Sequence, residues 1–205
     1  IGQTISGLKD RSKELTATLP SAKVDIISDR NEKLQDIAWC LRKEILENIS
    51  KIGAMAMGLS AEGSPDSLTI YKRINAVLNS IDRLEVRGRD SSGISVLFTL
   101  TKEEFERFRT QMIAAGLSDR LKQRTNHVVL SNNSITINDT FDEAGEHFVS
   151  ISFAYKFAAE IGALGDNVAF LRSQIKNDLM LFLLSGFNIT GHSVSAHTRW
   201  ASVGD

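Results

Sequence analysis

Residues 83–94 read Arg83-Leu84-Glu85-Val86-Arg87-Gly88-Arg89-Asp90-Ser91-Ser92-Gly93-Ile94, and they join a helical pattern to an extended one. Before them, Tyr71, Ile74, Leu78, Ile81 and Leu84 recur at the spacing of one buried helix face. Ser64 is a suitable N-cap for that helix, and Pro65 suits its first position, where the missing N–H is not needed. After them, Gly93 to Leu100 (GISVLFTL) predicts a strand. Gly88 and Gly93 let the chain turn between the two elements. Arg87 and Asp90 bring opposite charges to that turn. An ordinary structural reading, an ion pair in a connection rich in Gly, Asp and Ser, accounts for this composition on its own.

Upstream, the region from Ile1 to about Pro20 has little pattern, and Val24, Ile26 and Ile27 suggest a short extended piece. Leu34, Ile37, Leu41, Ile45, Ile49 and Ile52 then predict a helix, capped at Ser28 or Asp29 and ended by Gly53 and Gly58. Downstream, Thr101 and Glu104 form a capping box for a helix that buries Phe105, Phe108 and Met112 and stops at Gly116. His127–Leu130 and Ser134–Asn138 read as strands around an Asn132-Asn133 turn, and Phe148–Phe153 reads as a further strand. A long helix starting near Asp166 is expected to bury Val168, Leu171, Ile175, Leu179 and Phe182. Interleaved helices and strands predict a layered mixed fold.

The chain has 205 residues, 42% hydrophobic and 24% charged, with a net charge of -1. That composition supports a packed core and leaves no electrostatic footprint for nucleic acid or an anionic membrane. No apolar run reaches a bilayer-spanning length. The single cysteine, Cys40, cannot form an internal disulfide, which fits a reducing cytoplasmic setting. It lies mid-helix between Trp39 and Leu41 without a free amine, so it reads as a small apolar residue and not a nucleophile. His127, His147 and His192 share no metal-ligand spacing, and no metal or other cofactor is expected.

The second informative segment is His197-Thr198-Arg199-Trp200-Ala201-Ser202-Val203-Gly204, after a strand at about His192–Ala196. A guanidinium can grip both oxygens of a carboxylate, and an indole can shield the site. A surface arginine stacked on a tryptophan fits the same spacing equally well.

Together, Leu84–Ile94 (LEVRGRDSSGI) and His197–Gly204 (HTRWASVG) resemble, in order and context, two motifs of class II glutamine amidotransferases of the glucosamine-6-phosphate synthase type. The family carries Leu-Glu-Tyr-Arg-Gly-Tyr-Asp-Ser-Ala-Gly-Ile and His-Thr-Arg-Trp-Ala-Thr-His-Gly. Amidophosphoribosyltransferases usually have Val-Arg-Tyr in the second motif and fit less closely. The resemblance is local, covering roughly Ile74–Val96 and Ser193–Gly204. Val86, Arg89, Ser92, Ser202 and Val203 depart from the pattern. Ser202 keeps a hydroxyl, whereas Val203 puts any side-chain role at its position in doubt.

The resemblance implies an α+β fold, the N-terminal-nucleophile layered αββα sandwich, incomplete here and carrying extra helical insertions. It implies a helical segment over 1–63, an insertion or extension, and the front part of an amidotransferase domain over 64–205 with a long insertion at about 101–148. Arg87 and Gly88 would orient an N-terminal cysteine that lies outside this sequence. Arg199 would hold the α-carboxylate of glutamine, Trp200 would cover it and Ser202 would lie near it. Asp90, Ser91, His197 and Thr198 would support the site. Ammonia would pass to a sugar phosphate on an isomerase-type domain of the same full-length chain, in a homo-oligomer. These 205 residues alone are expected to be inactive. A second reading is a catalytically degenerate domain that has become an interaction or regulatory module.

Overall fold

A computed structural model describes residues 2–16, 20–56, 65–87, 90–158 and 163–199. The chain divides into two compact units, Ile1–Lys51 and Ile52–Asp205.

In the first unit, α1 (Gly2–Thr16) packs on α2 (Ser21–Trp39), and Asn31 Nδ2 donates to Ser12 Oγ at 2.8 Å. The helix start is therefore Ser21 and not Ser28 or Asp29, and Val24, Ile26 and Ile27 are helical, not extended. Pro20 explains this: its carbonyl accepts from the N–H groups of Lys23 and Val24, and its ring fixes the backbone before the first turn. The helix widens into a π segment, Cys40–Leu46, and continues as α3 (Glu47–Met55), so Gly53 lies inside it. The apolar spacing lengthens to four at Leu41, Ile45 and Ile49, in step with the wider turn. Leu34, Ile37, Ile45 and Ile49 are exposed. Cys40 is exposed as well.

The second unit is mixed α+β. Its four strands, β1 (Ser91–Thr101), β2 (Ile135–Phe141), β3 (His147–Ala158) and β4 (Gly191–Arg199), form one antiparallel sheet in the order β2-β3-β1-β4. α4 (Pro65–Leu84), α5 (Lys102–Ala114) and α7 (Asp166–Lys176) pack on the sheet, and α8 (Leu179–Leu184) packs against α5. Side chains alternate along a strand, so one face of β1 and β3 supplies the core. Val96, Phe98, Leu100, Ile151, Phe153 and Tyr155 are all buried there. The other face is mostly polar, with Ser95, Thr99, Ser150 and Ser152 half-buried, Ser193 and Ser195 exposed, and Leu97 exposed among them.

α5 forms as its capping box predicts: Thr101 accepts from the Glu104 N–H, and Phe105, Phe108 and Met112 are buried. α6 (Ser118–Thr125) follows and packs beside β2. The segment His127–Leu130 is not a strand. Leu130 and Asn133 take positive φ, Val128–Leu130 are exposed, and β2 pairs with β3 through a turn closed by Asp142. The last helix is two helices. Asp178 breaks it, because its carboxylate caps α8 and also binds Tyr155 and Arg124. Met180, Leu181 and Leu184 are buried in consequence, and Leu179 is exposed. Arg172 ties α7 to α4 through Asn75 and Asn79, each at 2.7 Å; burial pulls its guanidinium below the ordinary value, against the pull of Asp82.

Candidate functional site

The two motif segments, far apart in sequence, lie side by side on β1 and β4. Ser91 faces Arg199, Ser92 faces Thr198 and Gly93 faces His197 across the antiparallel ladder. The Asp90 N–H donates to the Arg199 carbonyl at 3.2 Å and carries the pairing one step beyond β1. The start of β1 and the end of β4 thus form one corner of the sheet, beside the 3-10 turn Glu85–Arg87.

Alternation along β4 sorts its residues between faces. Val194, Ala196 and Thr198 are half-buried, and Ser195, His197 and Arg199 are exposed on the polar side. His197 and Arg199 therefore share a face, and Thr198 points the other way. Ser91 is half-buried next to Arg199. Among the described residues the Arg199 guanidinium has no hydrogen-bond or ion-pair partner, so its fork of donors is open to an anion.

Gly93 is not a turn glycine. It lies inside β1, between His197 of β4 and Lys156 of β3. A Cβ there would stand 2.6 Å from His197 Cε1 and 3.2 Å from Lys156 Cγ. The missing side chain lets the imidazole lie across β1. His197, Lys156 and Arg199 consequently form a nitrogen-rich strip on the polar face.

The turn before this corner is anchored by a residue outside the expected site. Glu85 is 0% exposed, and its Oε2 accepts the backbone N–H of Gly165 at the N-cap of α7. A carboxylate at a helix N-terminus meets unpaired N–H groups and the positive end of the dipole. Leu84, expected as the last buried position of α4, is 53% exposed. The run 71, 74, 78, 81 continues by its own spacing to 85, and the signal for Glu85 was there. The polarity of the side chain concealed it.

Asp90 is half-buried and engaged. Arg87 closes the 3-10 turn, and its side chain lies outside the described residues, as do Gly88, Trp200 and Ser202. The corner therefore brings together Asp90, Ser91, His197, Thr198 and Arg199 of the expected site.

No helix among the described residues is long and apolar enough to cross a membrane. No family model, no curated protein and no solved structure matches this chain.

Proposed function

We propose that the β1–β4 corner is the substrate-carboxylate end of a glutamine amidotransferase site, of the class II type that the two motifs resemble. The observation that carries this reading is the register that sets Ser91 and Asp90 beside Arg199. An open guanidinium on a polar sheet face, next to a second nitrogen-rich side chain, suits the α-carboxylate of glutamine. On this reading the nucleophile is a cysteine whose free α-amino group, with an ordinary pKa of about 7.7–8.0, serves as base. It comes from a segment other than these 205 residues, because Cys40 sits mid-helix. The thiolate attacks the carboxamide carbon, the C–N bond breaks, and ammonia leaves with the transferred proton. Water then cleaves the thioester to glutamate.

The same proposal gives the polar sheet face a partner. In an αββα sandwich a second sheet would lie on it, supplied by a segment other than these 205 residues. The ammonia acceptor would be a sugar phosphate on a further domain of a cytoplasmic homo-oligomer. The test is glutamine hydrolysis by the full-length protein, with and without Arg199→Lys.

One observation favours a second reading, a degenerate domain serving as an interaction or regulatory module. Ile26, Ile37, Trp39, Ile45, Leu46 and Ile49 are exposed on the helices of the first unit. Exposed apolar residues in such number are characteristic of contact surfaces. Sequencing the N-terminus of the mature native protein separates the two readings. A terminal cysteine supports catalysis, and any other residue supports the module.

A further inference from the structure

β4 is an edge strand: the sheet order places it outermost, paired with β1 on one side only. The ends of that ladder fix which way its backbone groups point. The Thr190 N–H donates to the Thr99 carbonyl at 2.9 Å, and the Arg199 carbonyl accepts from the Asp90 N–H. Backbone groups alternate sides along an antiparallel strand, so the odd-numbered residues from Gly191 to Arg199 bond toward β1. His192, Val194, Ala196 and Thr198 direct their N–H and C=O groups outward. In keeping with this, the His192 carbonyl accepts from Arg73 Nη1 of α4 at 3.4 Å. Val194, Ala196 and Thr198 have no partner for their outward groups among the described residues. The strand is nine residues long and contains neither proline nor lysine, two common means of blocking an edge.

α4 forms a ledge beside this edge. Val77 and Leu84 follow Arg73 on the same helix face, about one and three turns further on. α4 runs toward the corner where β4 ends, so Leu84 lies toward Thr198. Val77 is half-buried and Leu84 is 53% exposed. Arg73 is exposed and has no carboxylate partner among the described residues. The side chains of Val194, Ala196 and Thr198 are on the α4 side of the sheet. A strand added at this edge would bond to those three residues, and its side chains opposite them would fall on the same side.

We propose that the β4 edge binds an extended segment of a partner protein, apolar at alternate positions and acidic at one end. Its backbone completes the hydrogen bonds of Val194, Ala196 and Thr198. Two of its apolar side chains settle on Val77 and Leu84, and its carboxylate meets Arg73. A second copy of this chain does not fit through β4. Adjacent strands lie about 4.8 Å apart, whereas the two α4 helices, each packed on its own β4, need about 8–10 Å between axes. The occupant is therefore a lone strand with no helix on that side.

The test is fluorescence polarisation of the full-length protein with a labelled heptapeptide. The peptide alternates threonine and valine, carries a glutamate in the valine register at one end, and is made in both sequence directions. At least one direction should bind saturably. N-methylation of its valines, whose N–H groups face β4, should weaken binding about tenfold or more. N-methylation of its threonines, whose N–H groups face away, should leave binding unchanged. Lysine in place of the glutamate should weaken binding about tenfold, and Arg73→Glu should restore it for the lysine peptide. Absence of saturable binding in either direction overturns the proposal. Equal losses on methylating valines and threonines overturn it too, as does a charge exchange without rescue. Glutamine turnover does not enter these readouts, so failure here is distinct from failure of the amidotransferase reading.

Discussion

The imidazole of His197 lies across the backbone of Gly93, with Cε1 2.6 Å from where a Cβ on that residue would stand. Glycine in a strand is otherwise unfavourable, because it loses the most chain entropy on folding. The pair therefore predicts a change of sign. Gly93→Ala in the natural background forces the ring aside and should cost about 1 kcal/mol of stability, the low end of overpacking effects. In a His197→Ala background the same substitution should be neutral or stabilise by about 0.4–1 kcal/mol. Urea denaturation of the four proteins in this cycle measures both. An equal cost in both backgrounds would show that the ring is not the obstacle.

Glu85 holds the start of α7 through the Gly165 N–H, whereas its neighbour Leu84 is exposed. Glu85→Ala should cost about 1–3 kcal/mol, the price of an unsatisfied buried group. Leu84→Ala should change stability by no more than about 0.5 kcal/mol. A larger loss at Leu84 than at Glu85, in chemical denaturation, would reverse the assignment of the buried position.

The buried carboxylate of Asp178 caps α8 and binds both Tyr155 and Arg124. Asp178→Ala removes one partner of a buried pair and leaves a guanidinium uncompensated. The expected loss is about 3–5 kcal/mol, enough to threaten folding. Tyr155→Phe keeps the ion pair and should cost about 1 kcal/mol, the net worth of one hydrogen bond. Thermal denaturation ranks the two.

Burial pushes the Tyr71 phenol up to about 12 and also raises that of Tyr155, where the Asp178 charge adds to the effect. Both groups are protonated in the native state and ionise near pH 10 in the unfolded chain. Above that pH the unfolded state binds fewer protons than the native one, so stability falls as pH rises. Below about pH 10 these phenols make stability independent of pH. Between about pH 10 and 12 each should remove up to about 1.4 kcal/mol per pH unit. Denaturation midpoints of Tyr71→Phe across that range should decline less steeply than those of the natural protein. Parallel slopes would contradict the prediction.

Much of the second unit can be read from local patterns. The stripe on α4, the capping box of α5 and the β1 run are each set by neighbours within a few residues, and all three are present. Elements decided by distant partners were not legible. His127–Leu130 has the composition of a strand, but β3 already pairs with β1 on one side and β2 on the other. Asp178 ends α7 because Tyr155 and Arg124 reach it from other elements. The stripe Leu34–Ile52 predicts a helix, which is present, but periodicity shows which residues share a face and not what covers it, and Leu34, Ile37, Ile45 and Ile49 are exposed. At the site, the motifs gave Asp90, Ser91, His197, Thr198 and Arg199, and the ladder between β1 and β4 places them together. The role of Gly93 depended on a ring from another strand and could not be read from its own surroundings.

The central claim is that Arg199 holds the α-carboxylate of glutamine, and steady-state glutaminase kinetics of the full-length protein test it most directly. Lysine keeps the charge at that position but not the two-pronged grip. Arg199→Lys should therefore raise KM for glutamine about ten- to a hundredfold, equivalent to about 1.5–3 kcal/mol for a charge-assisted contact. An unchanged KM, or a full-length protein that does not hydrolyse glutamine at all, would contradict the account.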